Sequence, residues 1–235
     1  MSFSYNRLGH AVMMATPADL EDFATGFSLA EGIVAHPAEI EELEVIHTPL
    51  GIELRMWIDA ARLGALEARR RHLAGPTGCG LCGLESLAEA VRSLPRVPPG
   101  PRLAPADIAA AMASLAPAQH LHDATRAMHA AGFWQPGRGL LALREDVGRH
   151  NALDKLAGAL AREGIDASAG VLALTSRISV ELVQKAARMG AGVLAAVSAP
   201  TALALRCAEA AGLTLIGVAR DDGFEVFTGA HRLDG

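Results

Sequence analysis

The sequence predicts an α/β protein with a mixed, largely parallel sheet, joined to a smaller N-terminal α+β part. Three observations carry this reading. From about residue 140 onward, short apolar runs alternate with helical patterns, the rhythm of βαβ units. The runs near Val171 and Val193 are short and bounded by Gly and Ser, as strands covered on both faces are. Ahead of residue 75 the pattern is different: one helix, one hairpin and one further helix.

In chain order, residues 11–15 read as a strand. Thr16 caps a helix with Pro17 at its first position, with Leu20, Phe23, Ala24 and Phe27 at helical spacing and Gly32 as the stop. Residues 43–47 and 52–58 form a hairpin around Pro49-Leu50-Gly51, the second strand alternating Ile52, Leu54, Met56 and Ile58 with Glu53, Arg55 and Trp57. A helix with one basic face covers 60–74 and closes at Gly75-Pro76. A glycine-rich loop over 75–83 and a helix over 84–94 come next. Five prolines from Pro95 to Pro105 mark a linker, which divides the chain into 1–94 and 106–235 unless the two pack as one continuous domain. Two helices follow, 105–116 and 117–131, the second ending near His129. The remainder reads strand 140–144, helix 151–162, strand 170–174, helix 179–189, strand 193–197, helix 200–211 and strand 213–218. A turn at Asp221-Asp222-Gly223 leads into a last strand, Phe224 to Thr228.

Composition narrows the class. Hydrophobic residues make up 51% and charged residues 20% of the 235, which is globular rather than disordered. The formal charge is −5, and the densest basic run is Arg69-Arg70-Arg71, so no basic face for a nucleic acid is expected. Three cysteines are too few for a disulfide framework and suit a reducing compartment. The first residues lack an apolar signal core, and no run approaches the ~18 apolar residues of a spanning helix. The expected address is cytoplasmic, away from any membrane.

The sharpest motif is Gly78-Cys79-Gly80-Leu81-Cys82-Gly83. Its glycines permit positive φ and close approach of a bulky partner. A helix opening at Leu84 would help keep a nearby sulfur anionic. Zinc would need four ligands, but the third cysteine, Cys207, sits far along in a helix as a buried apolar residue, and there is no second pair. Spacing leaves a dithiol redox pair and a sulfur carrier both open.

The second motif, Glu145-Asp146-Val147-Gly148-Arg149-His150-Asn151-Ala152-Leu153-Asp154-Lys155, falls where a strand ends and a helix begins, the usual ligand crevice of an open sheet. So many polar groups exceed what helix capping needs, which favours a functional turn. Thr175-Ser176-Arg177 and Ser198-Ala199-Pro200-Thr201 end the next two strands. Arg149, His150, Ser176 and Arg177 together suggest an anion pocket for a phosphate-bearing ligand. Lys185 reads equally well as a solvated side chain, and a lone His129 as a satisfied structural histidine.

These two motifs, with Met13-Met14-Ala15-Thr16-Pro17-Ala18-Asp19-Leu20-Glu21, Glu181-Leu182-Val183-Gln184-Lys185-Ala186-Ala187 and Ala195-Ala196-Val197-Ser198-Ala199-Pro200-Thr201, resemble the FdhD family of formate dehydrogenase accessory sulfurtransferases over nearly the whole chain. The resemblance implies a fold similar to cytidine deaminases, without their zinc signature, and a homodimer. It implies a sulfur carrier that takes sulfane sulfur from a cysteine desulfurase and delivers it to the molybdenum bis-guanine-dinucleotide cofactor required by formate dehydrogenase. Cys79 matches the persulfide-bearing cysteine and Cys82 its partner. The guanine-dinucleotide contact maps to Val218, Ala219, Arg220, Asp221, Asp222, Gly223 and Phe224, where family members often have a more basic or Gly-rich turn. A non-catalytic cofactor chaperone and a dithiol redox protein are the alternatives. The resemblance also implies a further N-terminal segment, since this chain begins inside what reads as the first strand.

Overall fold

The computed structural model describes residues 1–72, 94–220 and 223–234. Cys79, Cys82, Asp221, Asp222 and the expected loop at 75–83, together with nearly all of the expected helix over 84–94, lie outside the described residues.

The N-terminal part is a four-stranded sheet in the order β2-β1-β4-β3, built from β1 (Ser2–Tyr5), β2 (Leu8–Val12), β3 (Glu42–Thr48) and β4 (Gly51–Trp57). The predicted hairpin is β3–β4, paired antiparallel from Glu42–Trp57 to Thr48–Gly51. The strand expected at 11–15 ends instead at Val12, because residues 8–12 fold back on β1. One face of the sheet, with Phe3, Tyr5, Leu54 and Met56, packs against Phe23 and Phe27 of α1 (Leu20–Ala30). Helix α2 (Ala60–His72) follows, its first turn capped by Asp59, whose carboxylate accepts from Ala61 and Arg62 amides.

Thr16 does not cap α1. The helix starts after Asp19, which takes a left-handed backbone (φ 52°). Thr16 is drawn off by a distant partner: its amide donates to Asp146 at 2.9 Å, and its hydroxyl accepts from the Val147 amide at 3.0 Å.

The larger sheet has six strands in the order β10-β9-β8-β7-β5-β6. These are β5 (His129–Gln135), β6 (Gly139–Asp146), β7 (Val171–Leu174), β8 (Val193–Ala196), β9 (Thr214–Arg220) and β10 (Gly223–Thr228). The sheet is mixed as expected, and its parallel pairs are β7–β8 and β8–β9. Helices α5 (Arg149–Glu163), α6 (Val180–Arg188) and α7 (Ala202–Ala211) supply Leu153, Leu156, Leu182, Val183 and Cys207 to a core under Leu172, Leu174, Leu194 and Leu215. Alternation sends Val171, Val193, Ala195 and Ile216 to the other face, against Ile108 and Ala111 of α3 (Pro105–Ala113). The single helix expected over 117–131 is broken. A short α4 (His120–Thr125) ends at Arg126, at φ 55°, and His129 opens β5. β5 is hydrogen-bonded on both sides, to β6 and β7, and that pairing overrides the helical preference of its alanines.

The proline-bearing stretch lies on the C-terminal part. Val97 is buried and its amide donates to Ala211, while Leu103 bridges to Leu233. Helix α1 crosses α5 at two glycines. A β-carbon on Gly26 would lie 1.7 Å from the Asp154 carbonyl oxygen, and one on Gly158 only 1.9 Å from that of Asp22. Around this crossing Asp22 binds Arg144 and Arg162, and Lys185 binds both carboxylate oxygens of Asp154 at 2.7 and 2.9 Å. Lys185 is thus buried and paired rather than solvated.

Candidate functional site

Strand direction gathers the candidate residues. β6 and β7 are both antiparallel to β5, and β8 and β9 are parallel to β7. The carboxyl ends of β6, β7, β8 and β9 therefore share one edge of the sheet with the first residues of β5 and β10. That edge holds His129, the turn 145–150, the loops 175–179 and 197–201, and Val218 to Arg220 with Gly223 and Phe224. Backbone bonds tie the loops side by side: Val197 to Leu174 at 3.2 Å, Thr201 to Ile178 at 3.0 Å and Val218 to Ser198 at 3.4 Å. Every candidate cofactor contact among the described residues falls on this edge.

The Glu145–Lys155 turn divides in two. Its acidic and amide groups are engaged within the protein. Asp146 and Lys155, both fully buried, meet at 2.7 Å. Asp146 also accepts from the Gly148 amide at 2.8 Å and from Asn151 Nδ2 at 2.9 Å. Asn151 Nδ2 reaches the Met14 carbonyl, and Lys155 Nζ the Thr16 carbonyl. Glu145 accepts from the Leu121 and His122 amides at 2.7 and 2.8 Å, closing the start of α4. These groups clamp the 14–16 segment and α4 onto the sheet edge, so their number reflects assembly of that edge. Arg149 and His150 are the members of the turn that take no part in this clamp.

Arg149 Nε is buried and has no hydrogen-bond partner among the described residues. A guanidinium nitrogen in that position is incomplete without an acceptor. His150 Nε2 lies 3.3 Å from Ser179 Oγ and 3.9 Å from Glu181 Oε2. Burial, reinforced by the neighbouring Arg149 and Lys185 cations, pushes His150 down to about 4. His129 is also held below the ordinary histidine range, first by burial and then by Arg149 and His122. His150 therefore enters the site as a neutral imidazole, one donor and one acceptor, rather than as an anion-binding cation. Ser176 is buried and its hydroxyl donates to the Arg177 carbonyl at 3.1 Å; Arg177 itself is exposed.

The end of β9 is irregular. Between the pairs Gly223–Arg220 and Glu225–Gly217, β9 carries an extra residue, and Val218 has φ 52°. A β-branched residue in the left-handed region is strained, and such strain and bulges cluster at binding sites. Periodicity gave no sign of this conformation. Ser179 and Glu181 were also missed as contacts of His150, although Ser179 is readable as a residue preceding a helix. Cys207 is 1% exposed, and burial raises its thiol pKa. Among the described residues no group of three or more His, Cys, Asp or Glu is placed to hold a metal, and no helix is long and apolar enough to cross a membrane.

The family model described as "FdhD/NarQ family" matches residues 1–234. A protein of Agrobacterium fabrum named "Sulfur carrier protein FdhD" is 54% identical over 234 residues, covering 99% of this chain and 86% of the relative. Proteins of the same name from Brucella abortus and Variovorax paradoxus are 54% and 49% identical, over 87% and 84% of their lengths. A crystal structure from Desulfotalea psychrophila, assigned as a formate dehydrogenase accessory protein, superposes with a TM-score of 0.77 at 25% identity, covering 99% of this chain and 87% of that one. With a match that runs the length of the chain and relatives sharing half its residues, the chain belongs to the FdhD/NarQ family.

Proposed function

We propose that this chain is a sulfur carrier for the maturation of formate dehydrogenase. The Cys79 thiolate attacks the outer sulfur of a cysteine desulfurase persulfide. A new S–S bond forms to Cys79, the desulfurase S–S bond breaks, and the desulfurase cysteine leaves as a thiolate. Cys79 then hands its terminal sulfane sulfur to the reduced molybdenum bis-guanine-dinucleotide cofactor: the persulfide S–S bond breaks with its electron pair on Cys79, which returns to the thiolate with Cys82 assisting, and the substrate's metal supplies the two electrons that turn the transferred atom into sulfide. The client cofactor is a substrate here, held by its nucleotide portion along the sheet edge.

The observation that carries the reading is the convergence of Arg149, His150, Ser176, Arg177, Val218, Ala219, Arg220, Gly223 and Phe224 on that one edge. The residues fit such a ligand. The Nε of Arg149, buried and without a partner among the described residues, calls for an acceptor such as a phosphate oxygen. The exposed Arg177 and Arg220 add positive charge, and the strained backbone at Val218 stands beside them. The names carried by the 49–54% identical relatives support the sulfur-carrying role.

The test is intact-mass analysis after incubation with a cysteine desulfurase and cysteine. One added, cyanide-labile sulfur is expected, lost in Cys79→Ala. Absence of loading, or loading that persists with both Cys79→Ala and Cys82→Ala, refutes the carrier reading.

A further inference from the structure

We propose that Ser179 and Glu181 are positioning residues that hold the His150 imidazole with its proton on Nε2, leaving Nδ1 as a bare acceptor for an N–H group of the bound ligand. The ligand half of this inference rests on the sheet edge being a guanine-nucleotide site. The tautomer half rests on geometry alone.

His150 is the second residue of α5, and Ser179 and Glu181 stand at the start of α6 beside it. Both reach the same ring nitrogen, at 3.3 and 3.9 Å. The Ser179 hydroxyl makes no capping bond to its own helix, so it is available to the imidazole. A hydroxyl alone leaves the tautomer open, because it donates or accepts equally well. The carboxylate removes that ambiguity. It is an acceptor only, and its charge favours an N–H on the nitrogen that faces it. Among the described residues nothing hydrogen-bonds Nδ1.

The groups that act on His150 are Arg149, Lys185, His129 and Glu181. The cations oppose a second proton on the ring, and burial opposes it more. A neutral ring with its proton fixed on Nε2 offers a lone pair at Nδ1. That lone pair can accept from the N–H and amino groups on the pyrimidinone edge of a guanine or a pterin. It has nothing to offer a phosphodiester, which carries no donor. The edge therefore separates into guanidinium groups for phosphate and a neutral acceptor for the heterocycle. In this arrangement Glu181 acts on specificity without touching the ligand.

The experiment is long-range proton–nitrogen NMR of the ligand-free full chain, labelled at histidine, at neutral pH. His150 Nδ1 is expected at the resonance of an unprotonated nitrogen and Nε2 at that of a protonated one. In Glu181→Gln both resonances move toward each other, since the amide accepts and donates. Ser179→Ala moves them less, since the carboxylate still faces Nε2, and Ser179→Thr restores the wild-type pattern. GDP affinity falls roughly threefold to tenfold in Glu181→Gln, the worth of one hydrogen bond. Inorganic pyrophosphate, which offers no heterocycle, binds both proteins alike. A proton on Nδ1 in the wild type, or resonances unmoved by both Glu181→Gln and Ser179→Ala, overturns the proposal. If the wild type takes up no GDP while its tautomer is as expected, the positioning role stands, and it is the nucleotide reading of the edge that fails.

Discussion

Replacing Lys185 with Met removes one charge from the crossing of α1, α5 and α6 and leaves Asp154 behind. The carboxylate is 2% exposed and loses a partner that held both of its oxygens, at 2.7 and 2.9 Å. Among the described residues Lys185 is the cation paired with Asp154. Breaking a buried pair from one side costs about 3–5 kcal/mol, against a total stability of about 5–15 kcal/mol. The lower end is expected at neutral pH, because Asp154 has an escape. Burial already pushes it up to about 6 with the lysine in place, and the lysine is what holds it down. Without Lys185 the folded-state pKa rises further, and the carboxyl takes up a proton. The sign follows from linkage: a carboxyl raised in the folded state contributes stability below its unfolded pKa and loses it as pH rises through the folded one. The deficit of the variant is therefore largest at pH 7 and shrinks toward pH 5. Urea unfolding at both pH values, with unchanged m, measures it. Adding Asp154→Asn to Lys185→Met removes the orphaned charge and recovers most of the loss. A deficit below about 1 kcal/mol at pH 7, as for a surface pair, refutes the reasoning. So does a double variant that loses the sum of the two single ones.

Other positions give sharper yes-or-no outcomes. Gly158→Ala forces α5 away from the Asp22 carbonyl and costs about 1–3 kcal/mol or more, whereas Gly64→Ala, in open space on α2, stabilises by about 0.5–1 kcal/mol; thermal melting ranks them. His150 stays neutral in an NMR titration until pH nears 4, and Arg149→Ala raises that midpoint because a repelling cation is gone. Its contribution to stability is present above the ordinary histidine pKa and is lost as pH falls through about 4. Val218→Gly is more stable than Val218→Ala by about 1 kcal/mol in chemical denaturation, since only glycine relieves the φ of 52°.

Sequence reading succeeded where local pattern and final environment agree. β7 and β8 are short apolar runs closed by small residues, and they are buried on both faces in the structure. The β3–β4 hairpin followed from alternation and a turn at Leu50-Gly51. β5 was hidden because Met128-His129-Ala130-Ala131 has helical composition, and only its two neighbouring strands make it extended. Lys185 read equally well as solvated or as functional because its partner Asp154 is 31 residues away, and Thr16 looked like a cap because Asp146 is 130 residues away. On the sheet edge, the Arg149-His150 pair could be read from its place at a strand end. The pairing of Asp146 with Lys155 could not, since a list of polar residues does not say which of them face one another. Strain at Val218 is a property of the backbone and leaves no mark in residue order.

The glycine crossing of α1 and α5 also sets a schedule for synthesis. Helix α1 belongs by sequence to the small N-terminal sheet, yet the face bearing Gly26 and Asp22 is completed by α5, and Arg162 emerges 140 residues after Asp22. At ordinary elongation speeds the ribosome needs on the order of ten seconds to make that stretch. For that interval the nascent chain carries a half-covered helix with no native neighbour to close on. A helix made before most of this chain is thus among the last of its elements to be finished, and a chain arrested before residue 158 has nothing to seal it.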